Sequence, residues 1–170
     1  MHQFNASKDI AVPVDRVWDL LNDFANTYVY HPMVERSSST NGKRSGLGAR
    51  RQCTMYDGST VEEVVTAYDS KARRYSLEVV DFGPMPLKHM SATIAVQPTL
   101  GGARVILSGD FQPKFGPLGW VMAKTMMTVQ FNKMMGRLLD GVDEHLKTGR
   151  IVGKGGKPGP ALTPAMLDVG

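Results

Sequence analysis

The chain carries one cysteine, Cys53, in 170 residues. An internal disulfide is therefore impossible, a lone thiol builds no cysteine-based metal site, and a reducing compartment fits. His31, His89 and His145 stand at no metal-ligand spacing, and there is no His-Glu-x-x-His or Cys/His cluster. Neither a metal nor a cofactor is expected. Long apolar runs are also missing, since none approaches the roughly 18 residues of a membrane span. Residues Met1–Asp9 lack the apolar centre of a signal peptide. A cytoplasmic protein without a transmembrane segment is the expectation.

Other absences narrow the chemistry. Gly46-Leu-Gly48-Ala has no third glycine and no strand–helix context for a dinucleotide, and Gly153-Lys-Gly-Gly-Lys157 lacks phosphate-loop spacing. Ser108-Gly109-Asp110 is not flanked as a nucleophile elbow, and Cys53 has no neighbouring histidine, so nothing supports nucleophilic catalysis. The formal charge of +4 and the pI near 9.3 raise the question of nucleic acid. The basic residues are scattered, however. Lys43, Arg44, Arg50, Arg51, Arg73 and Arg74 lie in or beside strand-like segments, while Lys147, Arg150, Lys154 and Lys157 cluster late. With no aromatic residues interleaved among them, no specific nucleic-acid partner is expected.

What is present is 42% hydrophobic residues, enough for one core. Residues 2–12 read as a strand, after which Pro13 suits the first position of a helix. Val14, Val17, Trp18 and Leu21 make one apolar stripe, and Asp15 complements the helix dipole. A short helical piece around Phe24–Tyr30 must stop by His31, because Pro32 disfavours helical dihedrals before it. Strand-like runs follow at Val34–Ser39, Gly48–Tyr56, Ser59–Tyr68, Arg74–Asp81, His89–Gln97 and Ala103–Phe111, with turns at Asn41-Gly42, Asp57-Gly58, Asp69-Ser70 and Gly101-Gly102. Their short links favour antiparallel pairing. From Leu118 to Lys147 the spacing of Phe131, Met135, Leu138, Val142 and Leu146, extended by Val121, Met122, Met127, Thr128 and Leu139, predicts one long amphipathic helix. Residues 1–148 thus form the domain, and 149–170 a Gly/Pro/Lys-rich tail, flexible or draped on the surface, with Ala165-Met166-Leu167 as its apolar handle.

The order of these elements, and the motifs Pro13-x-x-x-Val17-Trp18-x-x-Leu21-x-Asp23-Phe24, His31-Pro32, Gly48-Ala49-Arg50-Arg51, Asp57-Gly58 before Val61-Glu62-Glu63, and Phe111-x-Pro113, resemble the START-like (SRPBCC) superfamily in its polyketide cyclase/dehydrase branch. The resemblance covers roughly residues 4–148. It implies an α+β helix-grip fold, a curved seven-stranded antiparallel sheet wrapped around a long C-terminal helix, with two short helices after the first strand. Between sheet and helix it implies an apolar cavity for a lipid, polyketide or aromatic compound.

The turn at Asp57-Gly58 decides which side chains share the cavity face. A two-residue loop would set Arg51 opposite Val64 and put Arg51 and Glu63 on different faces. A three-residue loop closed by a glycine bulge makes Arg51 and Glu63 direct neighbours. The second register gathers Arg51, Cys53, Met55, Val61, Glu63, Val65 and Ala67 on one face and leaves the more polar Arg50, Gln52, Thr54, Thr60, Glu62 and Thr66 on the other. It predicts an Arg51–Glu63 ion pair facing the cavity, either structural, ligand-orienting or acid–base in role. His31, at the cavity entrance of the resembled fold, is a candidate proton shuttle or ligand donor, or a packing residue. Tyr75, Leu77, Val79, Met90, Ala92, Ile94, Val96, Val105, Leu107, Gly109 and Phe111 alternate along three strands towards the helix. Met122, Met126, Met127, Met134 and Met135 face them from the helix, as a plastic lining or as ordinary core.

The candidate catalytic residues are Glu63, Arg51 and His31. The candidate ligand-binding residues are Arg51, Cys53, Met55, Glu63, Tyr75, Leu77, Met90, Leu107, Phe111, Met127, Met135 and His31. The leading expectation is a protein that binds a hydrophobic small molecule. An aromatase/cyclase or dehydratase acting on a polyketide-like substrate is the alternative, and a protein or membrane interaction module the third. The sequence leaves homodimerisation open.

Overall fold

Pro13, with φ near −53° and ψ near 139°, turns the chain from an extended strand into a helix. The computed structural model describes residues 1–114, 116–117 and 126–163. Strand β1 (His2–Ile10) precedes helix α1 (Val14–Asn22), whose buried face is Val17, Trp18 and Leu21. A 3₁₀ segment, Phe24–Val29, follows and ends ahead of His31-Pro32. Six strands come next: β2 (Val34–Ser39), β3 (Arg50–Met55), β4 (Thr60–Asp69), β5 (Arg74–Asp81), β6 (Leu87–Thr99) and β7 (Gly102–Pro113). They form one antiparallel seven-stranded sheet in the order β1-β7-β6-β5-β4-β3-β2. Helix α2 (Thr128–Thr148) lies in its concave side, burying Phe131, Met135, Leu139, Gly141 and Val142. This is the helix-grip arrangement. The expected helix began at Leu118, and its residues Val121 and Met122 lie outside the described residues.

Aromatic packing joins helix to sheet. The Phe131 ring stacks on Phe111 with centroids 4.3 Å apart, and Phe4 of β1 lies 5.8 Å from it on a second side. The β3–β4 turn takes the bulged form: Met55 N–H donates to the Ser59 carbonyl (2.8 Å), Gly58 N–H donates to the Met55 carbonyl (3.0 Å), and Gly58 is left-handed at φ +84°. Arg51 therefore pairs with Glu63 and Cys53 with Val61.

Two bulges modify the expected face. Val65 pairs with Leu77, but Ala67 pairs with Ser76 and Tyr68 with Tyr75, so one extra residue sits on β4. Ala67, expected to point inward, is consequently exposed, and Tyr68 takes the inward position, 6.2 Å from Trp18 with its hydroxyl donating to Asn22 Oδ1 at 2.9 Å. A compensating shift between Glu62 and Glu63 places the extra residue, Val80, on β5.

Beyond α2, the Gly/Pro-rich tail folds into a hairpin of β8 (Arg150–Val152) and β9 (Pro158–Ala161). Val152 is 2% exposed, Leu162 packs on the core, and Gly155 N–H donates to the Pro32 carbonyl at 2.9 Å. The hairpin thereby holds the Tyr30–Pro32 turn against the end of α2. Ala165-Met166-Leu167 lie outside the described residues.

Candidate functional site

Strand alternation on β3 and β4 brings Arg51 and Glu63 side by side on the concave face. Arg51 Nε donates to Glu63 Oε2 at 2.5 Å, and Nη1 donates to the Phe24 carbonyl at 2.8 Å. The guanidinium carbon lies 4.0 Å above the Phe24 ring. The two side chains are 7% and 14% exposed, so the pair is desolvated. Burial works against the Arg51 charge, but Glu63 and the neighbouring thiol and phenols outweigh it and raise its pKa. Arg51 stays charged.

The pair forms one end of a cavity with about 130 Å³ of free space between the sheet and α2. His31, Tyr75, Tyr30 and Thr27 complete this polar end, and Met55, Leu77, Met90, Leu107 and Met135 belong to the apolar wall. Val61, Val79, Ala92, Ile94, Phe131 and Leu138 fill the wall out, and Met33, Met85 and Met134 bring further thioethers. Burial pushes the pKa of both Tyr30 and Tyr75 upward, so both hydroxyls keep their protons at neutral pH. Burial, with the Arg51 charge adding, pushes His31 down to about 3, and its Nδ1 accepts the Met33 N–H at 3.2 Å. His31 is thus a neutral imidazole whose other ring nitrogen carries the proton. Among the described residues, the Tyr75 hydroxyl, Arg51 Nη2 and Glu63 Oε1 form no hydrogen bond, yet none is sealed from the cavity space. This end has donors to spare.

Three expected lining residues lie elsewhere. Cys53 is buried beside Val34 and Val61 in a small satellite cluster, its Sγ 3.8 Å from Glu63 Oε2, and burial pushes its thiol up to about 12. It is an inert packing thiol. Phe111 is fully buried between the rings of Phe131 and His2, where it closes the core and faces no free space. Met127 packs against the main core ahead of α2, while Met126 is 70% exposed, so of the helix methionines Met134 and Met135 reach the cavity; Met122 lies outside the described residues. Tyr30 and Thr27 were not among the expected site residues. They come from the kinked 3₁₀ segment Phe24–Val29 and the residue that ends it, and the three-residue spacing of Thr27 and Tyr30 was the one signal that they share a side. Among the described residues no cluster of histidine, cysteine and carboxylate side chains could hold a metal.

A family model described as polyketide cyclase/dehydrase and lipid transport matches residues 1–147. No curated protein matches the chain. Among solved structures, the protein XoxI from Bacillus cereus is similar with a TM-score of 0.73 at 21% identity, over 87% of this chain and 97% of that one. TTHA0849 from Thermus thermophilus gives 0.69 at 21% identity, over 87% and 99%. Ara h 8.0201 gives 0.68 at 17% identity, over 86% and 98%. These likenesses concern the fold.

Proposed function

We propose, from the premise that this chain belongs to the polyketide cyclase/dehydrase and lipid transport family, that its cavity binds a hydrophobic small molecule bearing one polar group. The observation that carries this is an apolar cavity whose polar end keeps hydrogen-bond donors unspent. A void of this size, lined by side chains that shed water, favours an apolar occupant; a cavity of about 150 Å³ takes benzene. The free space of about 130 Å³ suits one ring or a short branched chain. Six methionines, Met33, Met55, Met85, Met90, Met134 and Met135, let the wall yield to a longer one.

A panel of small aromatic and branched apolar compounds tests this reading by thermal melting. A ligand at a hundred times its dissociation constant adds about 2.7 kcal/mol to native stability. Ala92→Phe, which fills the cavity, abolishes the shift. A panel that leaves the melting temperature unmoved throughout refutes the proposal.

The donors beside a carboxylate also support a second reading, an aromatase/cyclase or dehydratase in which Arg51 and the tyrosines polarise a carbonyl and Glu63 takes a proton. His31, whose pKa burial and the Arg51 charge push down, is a weak base in that mechanism. Turnover that survives Glu63→Gln excludes Glu63 as the base of this mechanism.

A further inference from the structure

We infer that Glu63 sets the charge of the ligand: by neutralising Arg51 in advance, it makes the cavity select an uncharged carbonyl compound over the carboxylate of the same skeleton. The inference rests on the binding function proposed above and names its ligand class.

A buried arginine in an apolar cavity is ordinarily a receptor for carboxylates, which it holds by two parallel N–H bonds. Here that fork is already committed. Nε is bound to Glu63, Nη1 to the Phe24 carbonyl, and the Phe24 ring covers one face of the guanidinium. The charged groups among the described lining residues are Arg51 and Glu63, and His31, Tyr30 and Tyr75 are neutral at physiological pH. The polar end therefore has no net charge. An incoming carboxylate would place a second anion beside Glu63 with one cation between them, and would leave its water behind without a full partner. A carbonyl oxygen brings no charge. It accepts from the Tyr75 hydroxyl and from Arg51 Nη2, whose hydrogens are unspent, while the rest of the molecule fills the apolar space.

Acetophenone and benzoate, each one ring with one polar group, test this by calorimetry on the full chain. The wild type is expected to bind acetophenone at least about tenfold tighter than benzoate at neutral pH. Its apparent affinity for benzoate rises about tenfold for each pH unit lowered towards the acid's own pKa, because the neutral acid is the form taken, whereas acetophenone shows no such slope. Glu63→Gln removes the charge that offsets Arg51 and is expected to shift the preference about tenfold towards benzoate relative to acetophenone. The wild-type pH series needs no variant and keeps the test decisive if Glu63→Gln fails to fold. Benzoate bound by the wild type as tightly as acetophenone at neutral pH overturns charge selection while the binding function stands. So does a folded Glu63→Gln variant that still refuses benzoate. If neither compound binds, the inference falls, and the panel of apolar compounds decides whether the binding function falls with it.

Discussion

Removing Arg51 alone leaves the Glu63 carboxylate in a mostly apolar wall with no other cation among the described lining residues. Arg51→Met is expected to cost about 3–5 kcal/mol in urea denaturation, whereas Arg51→Met with Glu63→Met costs far less, since the pair's attraction goes largely to repaying its desolvation. A double-mutant cycle of the four proteins measures the difference. The half-exposed Arg104–Asp9 pair is a control, because water and salt already screen it. His31 yields a pH prediction. Its folded pKa of about 3 lies below the ordinary histidine value of 6.5, so between those values the unfolded chain holds more protons and stability falls as pH falls. The slope from this one group is at most about 1.4 kcal/mol per pH unit. His31→Asn, which keeps an acceptor for the Met33 N–H, is expected to flatten denaturation midpoints measured from neutral to acid pH. The Arg51–Glu63 contact was legible in the sequence because period-two alternation and one glycine turn fix it. The neutrality of His31 was not, because it comes from burial against Arg51, which the sequence places twenty residues away.

Elements succeed or fail on where they touch. Gly141 of α2 sits against the Tyr30 carbonyl so closely that a Cβ there would overlap it, while a Cβ at Gly136 meets nothing within 4 Å. Gly136→Ala is therefore expected to stabilise by about 0.5–1 kcal/mol through helix propensity. Gly141→Ala gains the same propensity but loses about 1–3 kcal/mol to overpacking. It also displaces Tyr30, so thermal melts and ligand affinity fall together. The strands and α2 were readable from periodicity and turn residues. The bulges that expose Ala67 and Val80 were not, because a bulge leaves local composition unchanged and is settled by the neighbouring strand. The β8–β9 hairpin was hidden for a different reason. Its Gly- and Pro-rich residues build no core of their own, and its order comes from Val152 and Leu162 docking on a surface the domain already provides.

At the scale of the molecule, much of the positive charge is answered locally. Arg104 faces Asp9, Arg73 faces Asp15, Arg44 faces Asp23, Arg50 faces Glu62, and Lys8 and Lys147 reach Asp140 and Asp143. Fluorescence polarisation with labelled DNA at physiological salt is expected to show binding no tighter than the nonspecific range of about 10⁻⁴–10⁻⁶ M. The fold as a whole was legible because element order and motif order agree. The occupant of the cavity was not, because its size and polarity are set by the distance between sheet and helix.

The sheet order has a consequence for biosynthesis. Ile10 pairs with Ala103 and His2 with Phe111, so β1 leaves the ribosome long before β7 exists to receive it. Phe131, which stacks between them, comes later still. Through most of translation the apolar side of β1 has nothing to cover it, and the nascent chain in that interval is the form most exposed to chaperones and to aggregation. Closing so long a loop also slows spontaneous refolding relative to a domain whose contacts are all local.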